Sequence, residues 1–360
     1  TLEHNLPAGR EKWWLDMVGI ATIADMVPLI GENRVLAYYG LTVLRKSRRP
    51  GLQQLLKKAK ANQLYLTEED VGFTIGPRVN AASRMDNPED AFYVLAETDV
   101  VKAGARVQHL EDLNTKRKSQ VAQMTKELHQ RLSQLDEIPP VLVMGNPDWR
   151  PSLVGLSANK LAEEHNRPTF VWGKDGHGVY KGSCRSGGGA SVVTLMNAAA
   201  DIFLEHGGHH VAGGFSVKED KIYTISEALN TAYQELGAKA AYEEELVVDA
   251  VLQIDDVNVA LVKDLEKLTP YGTGNTKPLF VFKNVTPKTV EQFGKTKEHL
   301  KMVFENTGGT LEAIAFFVTE DSYTKRPAAG TPLTLIAHVE QSFFMGRQQI
   351  RLRIIDIQAN

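Results

Sequence analysis

The chain has 360 residues, too many for one ordinary domain, and its 42% hydrophobic and 24% charged residues describe a globular protein of two or three domains. A net charge of -3 excludes a protein that coats nucleic acid by bulk positive charge, so any such site must be a local basic groove; the single cysteine, Cys184, excludes an internal disulfide and a cysteine zinc cluster. No apolar run reaches the roughly 18 residues of a membrane span and no cleavable signal peptide is visible, so a cytoplasmic location is expected.

Residues 1–98 read as helices joined by short loops: 10–24 is strongly apolar, 33–46 spaces leucine, valine and tyrosine at helical intervals, and Pro50-Gly51 opens another helix. Asp16 and Asp25 stand in the otherwise apolar stretch 15–29. A buried carboxylate needs a cation, hydrogen bonds or a metal, and the residues by themselves favour capping or salt bridging over metal binding. Ile75-Gly76-Pro77-Arg78-Val79-Asn80-Ala81-Ala82-Ser83-Arg84 reads as a loop and helix start whose arginines pair with acids. From 100 to about 137 there is no glycine after Gly104 and no proline, and Leu110, Leu113, Val121, Met124 and Leu128 predict one long helix. Lys116, Arg117, Lys118 and Lys126 fall on its solvated faces.

Ile138-Pro139-Pro140 marks a boundary. Beyond it a strand at 141–145, a helix at 152–165 capped by Ser152 and a strand at 169–172 make a β-α-β unit, with a further strand at 179–186 and an amphipathic helix at 191–206. Two small-residue loops follow strand and helix: Lys181-Gly182-Ser183-Cys184-Arg185-Ser186-Gly187-Gly188-Gly189 and Gly207-Gly208-His209-His210-Val211-Ala212-Gly213-Gly214. An arginine fork fits phosphate, glycine amides can form an anion nest, and histidine adds a donor. Gly207-Gly208 alone reads equally well as a helix C-cap. Cys184 is a space-filler, Arg150 a plain surface arginine, and both loops are expected at one sheet edge. After about 243 the pattern turns to β-rich runs at 245–253, 279–284, 299–305, 310–317, 333–338 and 349–357, with one helix near 257–268, which fits a small closed barrel. Lys295, Lys297, Lys301, Arg347 and Arg351, with Phe293, Phe343 and Phe344, stand in its later part; the resemblance given below makes them candidates for a single-strand groove, and half of them are expected to be ordinary surface or core.

Gly-Ser-x-Arg-Ser at 182–186, followed by Gly-Gly-His-x-x-Ala-x-Gly at 207–214, resembles the DHH-associated domain of the DHH phosphoesterase superfamily. The ordered set of motifs, including 75–84, Gly31-Glu32-Asn33-Arg34, Arg49-Pro50-Gly51 and Thr269-Pro270-Tyr271-Gly272-Thr273-Gly274-Asn275, resembles its RecJ branch of single-strand-specific exonucleases. The resemblance implies a multidomain α/β plus all-β chain: 1–98 the helical carboxy-terminal part of a DHH domain, 99–137 a connector helix, 138–242 the DHH-associated α/β domain, and 243–360 an oligonucleotide-binding (OB) barrel. It carries Asp25 over as a catalytic metal ligand, assigns Asn80 and Arg84 to the cleft wall, and assigns Ser183, Arg185, Ser186, Gly207, Gly208 and His209 to the phosphate or terminal nucleotide. Asp16 and Glu32 are structural in this reading, and Asn114 and Arg117 lie in the connector.

The implied activity is hydrolysis of single-stranded DNA from the 5′ end with Mn2+ or Mg2+, in DNA repair and recombination. The implied partners are single-stranded DNA and a single-strand-binding protein or a repair helicase, with no membrane. Two departures qualify it. No Asp-x-Asp motif and no Asp-His-His triplet occurs in the sequence, so the chain is expected to bind DNA but to be catalytically incomplete, and Thr1 at its start favours truncation over loss. Trp149-Arg150-Pro151-Ser152 stands where relatives have a His-x-Gly type sequence. The alternatives are another DHH phosphodiesterase, acting on short oligonucleotides or cyclic dinucleotides, and a non-catalytic DHH-like scaffold that binds single strands.

Overall fold

The computed structural model describes residues 7–176, 178–237, 246–294, 297–316, 318, 327–344 and 347–359. In chain order the helices α1 (Leu15–Ala24), α2 (Gly31–Leu44), α3 (Pro50–Ala59), α4 (Glu68–Asp70), α5 (Gly76–Met85), α6 (Glu89–Ala96) and α7 (Val100–Leu132) come first. Then follow β1 (Leu142–Gly145), α8 (Pro151–His165), β2 (Thr169–Lys174), β3 (Tyr180–Arg185), α9 (Val192–Ala198), β4 (Glu205–Gly208), β5 (Ala212–Val217) and α10 (Ile225–Leu236). The last set is β6 (Ala250–Val251), α11 (Val259–Glu266), β7 (Phe280–Val285), β8 (Thr289–Phe293), β9 (His299–Asn306), β10 (Gly309–Ala315), β11 (Leu333–Phe344) and β12 (Arg347–Ala359). These elements form two compact units that cut across sequence order: 1–46 with 63–72 and 246–360, and 47–62 with 73–245. Among the described residues, no helix is long and apolar enough to cross a membrane.

In the first unit α1 and α2 cross at two glycines, so closely that a Cβ on Gly40 would lie 2.5 Å from the Cα of Gly19. The seven strands β6 to β12 run in the order β6-β7-β11-β12-β10-β9-β8 around a core that includes Phe282, Phe304, Leu335 and Leu352. Strands β7 and β8, consecutive in the chain, pair with β11 and β9 toward opposite ends of this order, an arrangement that fits the expected barrel. Strand β8 escaped the sequence reading because it is short and buries none of its residues. The turn at 269–275 is held against the start of α2: Leu29 N–H donates to Thr273 O at 2.6 Å, Arg34 Nη2 to Leu268 O at 2.8 Å, and Tyr271 N–H to Glu68 Oε1 at 3.1 Å.

In the second unit the sheet order is β1-β2-β3-β5-β4, with β1 parallel to β2 and the rest antiparallel. Alternate residues of β2 serve opposite faces, as the two-residue period requires. Phe170 and Trp172 pack with Val192, Phe215 and Leu229, whereas Val171 packs with Leu153 and Leu161 of α8 and Met124 and Leu128 of α7. Helix α7 starts on Asp99, whose Oδ1 accepts the Val101 and Lys102 N–H groups at 2.8 and 2.9 Å, and it ends at Leu132, short of the expected 137.

Two expectations change here. Residues 191–206 are not one helix: α9 stops at Ala198, a 3-10 turn follows (Ala200–Ile202), and Gly207 and Gly208 pair with Gly214 and Gly213 in a hairpin. Glycine lets the two strands approach, since a Cβ on Gly208 would meet Ala212 O at 2.4 Å. Ser152 does not cap α8. Pro151 occupies its first turn, and Ser152 Oγ donates to Arg84 O at 2.7 Å, binding α8 to the end of α5.

Candidate functional site

Three guanidiniums of the second unit come together without a counter-anion among the described residues. Arg84 ends α5 and donates from Nη1 to Ser152 O at 2.8 Å. Arg117, on α7, donates from Nη2 to Asn114 Oδ1 at 2.9 Å, and its buried Nε has no hydrogen-bond partner among the described residues. Arg185, at the end of β3, donates from Nη1 to Cys184 O at 2.8 Å. All three are half-buried, and none forms an ion pair with a carboxylate among the described residues. Burial pushes Arg117 below the ordinary guanidinium range and the charges of Arg84 and Arg78 add to it; burial does the same to Arg185, with Arg84 adding again. Arg78 differs, because Glu111 neutralises it.

Helix α8 reaches this group through Gly155, whose Cβ, if present, would lie 3.2 Å from Ser183 Oγ and 3.3 Å from Arg185 Nη2. Ser183 is therefore a hydroxyl beside the guanidinium of Arg185. Asn80 is exposed on α5, one turn before Arg84. Cys184 between them is buried, its thiol pushed up to about 12 by burial, which suits the filler read from the sequence.

The two glycine-rich segments meet as expected, but through their backbones. Ser186 N–H donates to Val211 O at 2.8 Å, Val192 N–H to His210 O at 2.9 Å, and His209 N–H to Ala212 O at 2.8 Å. The second segment is thus a β-hairpin rather than an open nest, and His209 stands exposed at its turn. Gly188 and Gly189, with φ of 60° and 72°, turn the first segment, and Gly188 N–H donates to Asn166 Oδ1 at 2.7 Å. A groove of about 610 Å³ lies along them, lined by Arg185, Ser186, Gly187, Glu163, Asn166 and His210 among others.

On the barrel, Phe293, His299 and Phe316 form an aromatic group with ring centroids 5.1 to 6.5 Å apart, and the guanidiniums of Arg353 and Arg351 lie 5.6 and 6.0 Å from the Phe316 ring. Arg351 is also bound by Glu340, Nη2 to Oε1 at 2.6 Å. Lys301 stands between Glu291 and Glu312, at 3.7 and 3.9 Å, whereas Lys297 is exposed in a turn with no carboxylate partner among the described residues. Lys295 lies outside the described residues, as do the side chains of Arg347, Phe343 and Phe344.

Residues 139–235 match the DHHA1 domain, and residues 248–356 match the RecJ OB domain. The chain is RecJ-like. The single-stranded-DNA-specific exonuclease RecJ of Bacillus subtilis (strain 168) is 30% identical over 360 residues, covering 99% of this chain and 45% of that protein. That of Haemophilus influenzae is 30% identical over 354 residues, covering 94% and 60%. The crystal structure of RecJ from Thermus thermophilus in complex with Mg2+ aligns with a TM-score of 0.81 and 26% identity over 100% of this chain and 54% of its own; the Mn2+ complex aligns with the same TM-score. The RecJ-like chain spans about half the length of these proteins.

Among the described residues two groups of three closely spaced metal-binding side chains occur, His129 with Glu164 and His165, and Asp86 with Asp90 and His109. Asp25 ends α1 with an exposed side chain, its N–H bonded to Ala21 O at 3.0 Å, and it belongs to no group of three closely spaced metal-binding side chains. One carboxylate can bridge two divalent ions roughly 4 Å apart but cannot by itself complete their ligand sets. Asp16 is buried and takes the Met17 N–H on Oδ1 at 2.8 Å. The sequence reading missed Arg117, Phe316 and Arg353. For Arg117 the signal was its three-residue spacing from Asn114; for the other two there was none, because they converge only across β10 and β12.

Proposed function

We propose that this chain is the DNA-holding part of a RecJ-type exonuclease, which as an intact enzyme hydrolyses single-stranded DNA from its 5′ end with Mn2+ or Mg2+ in DNA repair and recombination. The supporting observation is the set of half-buried guanidiniums, Arg84, Arg117 and Arg185, left without a carboxylate partner among the described residues, with Ser183 beside Arg185. A phosphodiester supplies the missing anion, and the arginine fork matches its oxygens. In this reading Ser183, Arg185 and Ser186 hold the phosphate, Asn80 and Arg84 line the cleft, and Gly207, Gly208 and His209 border the terminal nucleotide. The aromatic and arginine face of the barrel takes bases by stacking, with Lys297 on the backbone. The domains run 1–98, 99–137, 138–242 and 243–360. Protein partners are a single-strand-binding protein or a repair helicase.

In the intact enzyme Asp25 would be one ligand of the divalent metals, which would supply activated water and charge stabilisation when bound. This chain alone binds single strands without cutting them. A DHH enzyme for short oligonucleotides or cyclic dinucleotides is disfavoured by the RecJ OB match. The test is nucleotide release from 5′-labelled and 3′-labelled single strands by three proteins: this chain, the chain joined to an upstream segment carrying Asp-x-Asp and Asp-His-His, and the joined protein with Asp25→Ala. Release is expected from the second alone. Metal-dependent release by this chain that persists in its own Asp25→Ala variant would place the chemistry elsewhere.

A further inference from the structure

A cluster of metal-binding side chains lies away from the arginine site, where the carboxy-terminal end of α8 meets α7. His129, on α7, places Nε2 3.0 Å from Glu164 Oε2 on α8, and the next residue, His165, brings its ring within 6.1 Å of the His129 ring, centroid to centroid. One ligand atom from each of the three lies within 4.8 Å of the others. Lys160 stands 3.7 Å from the other carboxylate oxygen, Oε1, which leaves Oε2 facing His129.

An ordinary ion pair accounts for His129 and Glu164 but not for His165. Its Nε2 is shielded from solvent and has no hydrogen-bond partner among the described residues. Buried polar atoms are nearly always satisfied, and an exception calls for an unplaced water or ion. Two imidazole nitrogens and one carboxylate oxygen are the donor set of a three-ligand zinc site with an open fourth position. Bonds of 2.0–2.1 Å in tetrahedral geometry place ligand atoms roughly 3.3 Å apart, so a modest closure of these side chains suffices.

We infer that His129, Glu164 and His165 bind one divalent transition-metal ion of the zinc class, which ties α7 to α8. Nitrogen donors separate this site from the oxygen-rich sites that Mg2+ prefers. The ion would stiffen the helix pair that carries Arg117 on α7 and Gly155 on α8, although its binding does not depend on the proposed nuclease role.

The experiment is calorimetric titration of Zn2+ into the whole chain at neutral pH with Mg2+ in excess. The expected result is one Zn2+ equivalent that is lost in His129→Gln and in His165→Gln, and weakened in Glu164→Gln by at least about tenfold, the scale on which even supporting residues act. Asp25→Ala and His109→Ala should retain it; the latter tests the second group of Asp86, Asp90 and His109. All variants should melt like the parent in chelator; added Zn2+ should raise the melting temperature of the parent and the two control variants, raise that of Glu164→Gln by less, and leave the two histidine variants unchanged. An unchanged isotherm in His165→Gln, or displacement of Zn2+ by Mg2+, overturns the site. If a histidine variant melts early in chelator, Glu164→Gln decides by the same readout.

Discussion

Arg185 combines two properties that a structural arginine lacks: it is half-buried, and no carboxylate neutralises it among the described residues. A hydrogen bond to a charged group contributes about 1.5–3 kcal/mol, so Arg185→Ala should weaken single-strand binding by roughly tenfold to a hundredfold. Melting should hold or rise, because a desolvated cation beside Arg84 is removed. Fluorescence anisotropy with a labelled single strand and a thermal melt separate the two effects, and unchanged affinity removes the phosphate assignment. Arg117→Met should behave alike. Glu340 makes a contrasting case on the barrel. Burial raises its pKa, but Lys277 and Arg351 outweigh burial and hold the carboxyl below its ordinary value of 4.5. A lowered folded value means that its stabilisation is complete above that pH and lost as pH falls through the folded value. Glu340→Gln should therefore lower the melting temperature at neutral pH and flatten its dependence on pH in the acid range.

At the scale of elements, two helical glycines should respond oppositely to the same substitution. Replacing glycine by alanine inside a helix gains about 1 kcal/mol of propensity. Gly104 in α7 has nothing within 4 Å of an added Cβ, so Gly104→Ala should gain most of that amount and raise the melting temperature by about 2–4 °C. Gly40 has the backbone of Gly19 at 2.5 Å, and forcing α1 and α2 apart costs roughly 1–3 kcal/mol, which exceeds the propensity gain. Gly40→Ala should melt lower. Equal shifts in the two variants would mean that the crossing is looser than the glycine pair implies.

For the whole molecule, the net charge of -3 means that the proposed DNA affinity has to come from local clusters rather than from the average field. Each single-strand phosphate neutralised contributes about -0.7 to the slope of log K against log salt, so the three arginines predict a slope of roughly -2 or steeper. Arg185→Ala should make it shallower by about 0.7, read from anisotropy titrations over a salt series. A salt-independent affinity would leave the arginine group without a phosphate. Domain order along the chain is also not the order of packing, since Arg34 bonds Leu268 across 234 positions to hold the barrel's first helical turn region within the first unit.

The sequence by itself determined the helices before residue 133, the β-α-β start of the α/β domain, and the change to strands near 250. These follow from periodicities of 3.6 and 2 and from side-chain chemistry, all of which are local in the chain. Tertiary structure alone decided the rest. Arg117 looked like one solvated cation of a long helix until α5 brought Arg84 to it, and Arg351 looked free until β11 placed Glu340 beside it. The segment around Gly207 and Gly208 satisfies a helix end and a strand equally well on local grounds. It became a strand because β5 offered a ladder to pair with, and backbone groups removed from water need partners that only the fold supplies.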